Sequence, residues 1–366
     1  MLPAQARHGS TSKSPKVGVV NGLRGLAICG VLWEHTVAQR FPPTSRLLNV
    51  AGLRLPLLSP LGAGWLGVNL FFVLSGFVLM LPYAREERAF AAADFYRRRA
   101  RRLLPLYYSA LFVGLFVFGR LRLQSKLLWL GVTSTFLFNF TPRTFYPEPS
   151  GVFWSLGIEV WLSLTFPLLI ALWGRFGPHR VLVGACMVGL LVRVVGVHVH
   201  AADVGDAWGF NVIRDSFAGR IDEFVVGMFV ADRYARRDHA RSGRALFAGG
   251  VIFLAGTWLW DWTLAGTIAM KWSAFYNDVV DLGIGLLLWG SLTTRSRAVR
   301  RFLENWPLQI TGAMCYSLYV WHPYVITRVH GPALLLVLFL VAAMSYRFIE
   351  FRHEPHWRAL FAKARA

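Results

Sequence analysis

NGLRGLAICGVLWEHT, residues 21–36, is an apolar run with a cation near its start and an imidazole near its end. Arg24 and His35 stand eleven residues apart. Eleven helical steps of about 100° return to within roughly 20° of one face while rising about 16 Å. Either group would be costly facing lipid, so their shared stripe is expected to face the protein interior or a wet cavity. The structural alternative is that Arg24 snorkels to the headgroups and His35 bonds a neighbouring helix.

The rest of the chain has the composition of a membrane protein. Of 366 residues, 55% are hydrophobic, 15% aromatic and only 16% charged, and the mean hydropathy is +0.46. Lys and Arg number 39 against 19 acidic residues, and the excess sits in short segments between apolar runs. That is the positive-inside pattern of a polytopic bundle, and it argues against a nucleic-acid-binding stripe. Cys29, Cys186 and Cys315 all lie inside apolar runs without C-x-x-C spacing, so they are expected to be small buried residues in neither a disulfide nor a zinc site. Residues 1–17 form a polar arm with Arg7, Lys13 and Lys16, and the run that follows lacks a small-x-small cleavage site. An uncleaved first helix with its amino end in the cytoplasm is expected.

Apolar runs fall at 18–38, 64–83, 103–119, 127–141, 153–173, 180–198, 217–234, 245–261, 275–292, 308–327 and 332–350. The Arg-rich loops 84–102, 232–244 and 293–307 read as cytoplasmic, and the acidic loop 199–216, with Asp203, Asp206 and Asp215, reads as external. Five runs lie between the first two of those cytoplasmic loops, and an odd number of crossings cannot return to the same side. Run 127–141 is the shortest and precedes the Pro-rich NFTPRTFYPEPSG, so it is assigned as a partial or re-entrant segment. The expected fold is all-α: one transmembrane bundle over 18–351 with about ten crossings, a basic cytoplasmic tail at 352–366, and both termini inside.

Several runs carry polar groups that packing alone does not require. GVNLFFVLSGFVL offers Gly67, Ser75 and Gly76 for close helix approach. DFYRRRARRLLPLYY places Arg97, Arg98, Arg99, Arg101 and Arg102 before Pro105, which is expected in the first turn of a helix. A cluster made only of arginine suits bidentate phosphate binding. SGVFWSLGIEVWLSLTFPLL holds Glu159 in an otherwise uncharged stretch, as the partner of an arginine on another helix or as the group that orients His35. Arg220, Asp222 and Glu223 near the start of the seventh run are interfacial charges or the lining of an acceptor cavity. Tyr316, Tyr319, Trp321 and His322 are placed at the external end of the tenth crossing, where belt anchoring accounts for the Trp and one Tyr. Arg347 and Glu350 read as an ion pair at the cytoplasmic surface. His198 and His200 point to different faces of a helix, and no metal site is expected.

Together these strings resemble the acyltransferase-3 family of integral membrane O-acyltransferases. The match is collinear from about residue 19 to 351: R-x10-H in the first helix, GVNLFFVLSGF in the second, and Arg99, Arg102, Leu103 and Pro105 as R-x-x-R-L-x-P. It continues through Trp154 to Glu159, Arg220 to Phe224, Tyr316 to Pro323 and Ser345 to Glu350. The resemblance implies an inner-membrane bundle that takes an acyl group, usually acetyl, from acyl-coenzyme A on the cytoplasmic side. It implies transfer to a hydroxyl of a sugar-bearing acceptor, such as a surface polysaccharide, a glycolipid or a macrolide. No permanently bound cofactor is expected; acetyl-CoA is the co-substrate, and the acceptor and the bilayer are the partners. Some members carry a further extracytoplasmic hydrolase-like domain, and for this chain transfer is expected to be completed within the membrane domain. One departure is visible: Phe351-Arg352-His353-Glu354-Pro355 follows Glu350 where the family usually continues x-Pro.

The residue chemistry agrees with that assignment. Coenzyme A is a polyanion joined to a thioester by a long arm, so its site needs cations at the water-facing end and a base deeper in. Arg24, Arg99 and Arg102 are assigned to the donor, His35 to general-base catalysis and Glu159 to holding the imidazole. A covalent acyl-histidine is the variant. Arg220, Asp222, Glu223, Tyr316, Tyr319 and His322 are the candidates for the acceptor cavity. The rival is a polytopic transporter or flippase that uses buried Arg, His and Glu as an ion relay, although no paired repeat with broken helices is visible.

Overall fold

The computed structural model describes residues 17–85, 90–199, 211–236 and 242–351. The arm up to residue 16, the tail 352–366, and Asp203 and Asp206 of the acidic loop lie outside the described residues. The helices run in the order α1 (Val17–Thr36), α2 (Gly67–Ala84), α3 (Ala92–Phe112), α4 (Leu123–Ser134), α5 (Phe153–Phe176), α6 (Pro178–Val199) and α7 (Ile221–Ala235). They continue as α8 (Ser242–Leu264), α9 (Tyr276–Thr293), α10 (Arg297–Leu303), α11 (Trp306–Ala313), α12 (Cys315–Ile326) and α13 (Ala333–Ser345).

Among the described residues, six helical segments are long and apolar enough to cross a membrane, those built on α2, α3, α5, α6, α8 and α13. The protein is a polytopic helical membrane protein. The polar motifs concentrate elsewhere. Helices α7, α9 and α12 bury most of their residues inside the bundle, and α1 does the same along the Ile28–Val31 side. A helix surrounded by protein can carry charge because its neighbours supply the partners, whereas one facing lipid cannot. Hydropathy therefore picks out mainly the periphery. α4 has 12 residues, about 18 Å of helix against a hydrocarbon core of roughly 30 Å, so it is too short to cross.

Two sequence-based boundaries need correction. The third helix begins at Ala92, not at 103, so the arginines lie on the helix and Pro105 sits in its interior. Arginine is a good helix former, and Phe95 and Leu106 keep one face buried. Pro105 withdraws the donor that the Arg101 carbonyl would otherwise meet. Run 308–327 is not one helix. It breaks at Met314 between α11 and α12, and α11 starts where the Asn305 side chain accepts from the Leu308 amide at 2.9 Å.

The packing of α2 on α7 needs glycine on both sides. A Cβ at Gly227 would lie 2.8 Å from the Phe77 amide nitrogen and closer still to the Val73 carbonyl, while one at Gly76 would meet the Phe224 carbonyl. This is the close approach that small residues permit in membrane bundles. Gly227→Leu is expected to force the helices apart and to destabilise the fold by about 3 kcal/mol, the upper range for overpacking a tight contact. Lower yield of monodisperse protein and a reduced melting temperature would show it.

Residues 37–66 cap one end of the bundle. A β-hairpin pairs Leu48 with Leu55 and Val50 with Leu53. Buried Arg46 reaches Asp261 of α8 at 2.9 Å, and the Ser59 hydroxyl donates to the other oxygen of Asp261 at 2.5 Å. The cap is thus tied to the bundle by an ion pair between segments far apart in sequence.

Candidate active site

Two cavities meet inside the bundle. One, of about 110 Å³, opens among Arg24, Arg99, Arg102, Glu159 and Tyr316. The other, of about 390 Å³, is lined by His35, Glu34, Asn69, Arg220 and the indoles of Trp65, Trp154 and Trp260. Val68 and Tyr319 line both. Arg24 lies near the middle of α1 and His35 in its last turn, about 16 Å apart along the axis, one in each cavity.

In the arginine cavity, α3 lies against α5. Arg99 forms an ion pair with Glu159, its Nε donates to Ser163 Oγ at 2.9 Å, and a second nitrogen reaches Ser75 Oγ at 3.1 Å. Ser75 in turn donates to Glu159 at 2.7 Å, so this serine does more than allow close packing. Arg24 and Arg102 face Glu350, whose carboxylate accepts from Ser317 at 3.1 Å. Glu350 therefore turns into the bundle instead of lying at the surface. The Tyr316 hydroxyl donates to the Leu103 carbonyl at 2.8 Å, which puts this residue with the arginines and not in the cavity that holds His35. Arg102 is exposed, while Arg99 is largely covered. Cys315 is buried beside them, whereas Cys29 is exposed, contrary to the expectation that all three cysteines are buried.

In the indole cavity, His35 sits in the last turn of α1 with its Nδ1 2.9 Å from the Val31 carbonyl. Its neighbour is His322, at 4.8 Å between ring centroids. Glu159 does not reach His35; its carboxylate is taken by Arg99 and Ser75. Tyr319 bonds Ser155 Oγ at 2.6 Å and rests edge-on against Phe71, forming the partition between the cavities. His322 is fully buried behind His35 and does not line either cavity.

Of the three charges at the start of α7, only Arg220 reaches the cavity. It pairs with Asp215 at 2.7 Å and Glu223 at 3.0 Å and lies 5.1 Å over the Trp154 ring. Glu223 also accepts from Asn69 at 3.1 Å and Asn277 at 2.8 Å. Asp222 points away to Arg193, at 2.7 Å. Burial works against the charged form of Asp215, but Arg214 and Arg220 overcome it and hold that carboxyl below its usual range. In the loop before α5, burial pushes the Tyr146 phenol up, so it enters the cavity neutral.

Several lining residues carry no motif. Glu34 had a signal, a carboxylate inside an apolar run next to His35. Asn69 stands inside GVNLFFVLSGF, where only the small residues draw attention, and Trp65 and Trp260 have no signal, since indoles in a membrane chain are expected at interfaces. Three indoles beside Glu34, Asn69 and Arg220 make an amphipathic wall, apolar on its ring faces and hydrogen-bonding at its edges.

Residues 18–355 match the family described as "Acyltransferase domain". The chain is 26% identical to "O-acetyltransferase OatA" of Staphylococcus aureus (strain NCTC 8325 / PS 47) over 372 residues, covering 90% of this chain and 56% of that protein. It is 27% identical to "Exopolysaccharide production protein ExoZ" of Rhizobium meliloti (strain 1021), over 77% of this chain and 82% of that one. "Nodulation protein 10" of Rhizobium leguminosarum bv. viciae is 30% identical over 44% of this chain and 47% of its own length. No solved structure matches. The chain spans about half the length (56%) of the staphylococcal relative. A match from the first described helix to beyond Glu350, together with paired cavities built from the matching motifs, places this chain in the family of acyltransferase domains.

Proposed function

We propose that the chain is a membrane O-acyltransferase that moves an acyl group, acetyl in the first instance, from acyl-coenzyme A to a hydroxyl of a carbohydrate-containing acceptor. The observation that carries this is the shared wall of Val68 and Tyr319, with guanidiniums on one side and His35 on the other. The small arginine cavity suits the thin thioester arm of the donor, while its phosphates would meet Arg102 and the exposed Arg97, Arg98 and Arg101 outside. The indole cavity suits a sugar, whose ring faces pack on Trp65, Trp154 and Trp260 and whose hydroxyls bond Glu34, Asn69 and Arg220. The printed names of the staphylococcal and rhizobial relatives, an O-acetyltransferase and an exopolysaccharide protein, agree with that acceptor class.

His35 would remove the hydroxyl proton as the oxygen attacks the thioester carbonyl. Arg24 and the Arg99–Glu159 pair would set the donor end, with both termini of the chain in the cytoplasm and the bundle in the bacterial inner membrane. Purified protein in lipid nanodiscs, given acetyl-labelled coenzyme A and host glycans, is expected to release free thiol and label the glycan. Thiol release no faster than without protein would reject the assignment. Arg102→Ala is expected to raise the KM for the donor about tenfold with kcat nearly unchanged, the loss of one charge-assisted contact of about 1.5 kcal/mol or more. Arg102 is chosen over Arg99 because removing Arg99 would leave Glu159 without its cation.

A further inference from the structure

We propose that the sugar acylated beside His35 carries a free amine, which Glu34 and Asn69 hold as an ammonium in the indole cavity. This rests on that cavity holding the acceptor. Besides His35, the charged residues that line it are Glu34, Arg46 and Arg220. Arg46 is matched by Asp261. Arg220 and its neighbour Arg214 are matched by Asp215 and Glu223. Glu34 is left over: it is buried, accepts from the Trp65 amide at 3.3 Å, and has no ion pair among the described residues.

Asn69 adds a second unmet need. Its Nδ2 donates to the Glu223 carboxylate at 3.1 Å, which fixes the orientation of the amide. Its Oδ1 is then buried without a partner among the described residues, in the lining of the same cavity. The carboxylate and this oxygen can only accept hydrogen bonds. A hydroxyl brings one hydrogen and no charge, whereas an ammonium brings three hydrogens and the missing positive charge. A buried carboxylate without a cation takes up a proton or a counter-ion, and an ammonium supplies the second. The indoles favour the same ligand, since their ring faces attract cations; Arg214 already rests 5.0 Å over Trp260 and Arg220 5.1 Å over Trp154.

Glu34 and His35 are consecutive on α1, with Cα atoms about 3.8 Å apart, and both line the cavity. The amine and the reacting hydroxyl therefore lie within one sugar ring or two adjoining ones. An amine held as ammonium has no lone pair, so it cannot compete with the hydroxyl for the acyl group.

The probes are methyl glucosides bearing a free amine at each ring position in turn, and their N-acetyl derivatives, titrated calorimetrically into the full chain in lipid nanodiscs. At least one amino glucoside is expected to bind about tenfold tighter than its N-acetyl derivative, the equivalent of about 1.4 kcal/mol. Glu34→Gln keeps an oxygen for the Trp65 amide but loses the charge, and is expected to erase that preference. Should the variant not fold, raising the pH of the wild-type titration past the pKa of the sugar's own amine is expected to erase it in the same way. No amino glucoside outbinding its N-acetyl derivative, or a preference that survives in Glu34→Gln, would overturn the proposal. Thiol release with neutral sugars and no preference for amines would reject the ammonium and keep the acyltransferase reading. A preference for amines without thiol release from acetyl-CoA would keep the ammonium site and reject that reading.

Discussion

His35→Ala is expected to abolish acyl transfer, with a loss in kcat of about 10²–10⁴, the usual contribution of a positioned general base. The imidazole lines the indole cavity, and its Nδ1 is committed to the Val31 carbonyl, so Nε2 is the nitrogen free to meet a hydroxyl there. His322 lies behind it, fully buried, and Glu159 belongs to the other cavity, so neither of these replaces it. The fold should survive, because the described hydrogen bond of His35 is to its own helix and the side chain is only half-buried. Donor binding should also survive, because Arg24 sits about 16 Å away along α1 and Arg99 and Arg102 line the other cavity. The measurements are acetyl transfer from labelled donor, membrane protein level and melting temperature, compared with wild type. Normal transfer with His35 gone would end the general-base assignment. Acid-quenched protein carrying acetyl on His35 would replace it with the covalent route.

Arg193→Met is expected to prevent stable folding. Arg193 of α6 is fully buried and binds Asp222 of α7 at 2.7 Å, Asp278 of α9 at 2.8 Å, and the carbonyls of Gly219 and Ala274 at 2.5 and 3.1 Å. One guanidinium thus joins two helices and two loops to α6. Methionine would fill much of the volume but leave two carboxylates facing each other without a cation. Breaking a buried pair from one side costs about 3–5 kcal/mol, a large share of the roughly 5–15 kcal/mol that holds a typical protein folded. Little protein should reach the membrane, and what does should melt at a lower temperature. Arg193→Met combined with Asp222→Leu is expected to be more stable than the single variant, because removing both partners leaves less uncompensated charge. Equal yield and melting temperature for wild type and Arg193→Met would show that the network contributes nothing.

Neither Arg193 nor His322's contact with His35 was legible in the chain, and the two cases differ in kind. Arg193 belongs to no motif, and an arginine in the middle of an apolar run indicates only that a partner must exist. His322 belongs to a motif, but its position near the end of α12 suggested a place in the acceptor cavity, while the structure buries it behind α1. Tyr316 and Tyr319 are one helical turn apart on α12 and were assigned together. The first turns to the arginines and the second forms the wall between the cavities, because α12 passes across the junction of the two spaces.

Local order was enough for the membrane bundle, the short fourth segment, a close helix approach at Gly76, and the common face of Arg24 and His35. Each follows from periodicity, residue size or charge within a few turns of helix, where geometry is set by bonded neighbours. Which carboxylate meets which guanidinium depends on how helices from distant parts of the chain pack. Glu159 could have served His35 or an arginine; the proximity of α3 to α5 gives it to Arg99. Tertiary packing likewise brings the His322 ring edge-on against His35 at the far end of the R-x10-H helix, because α12 packs on α1 there.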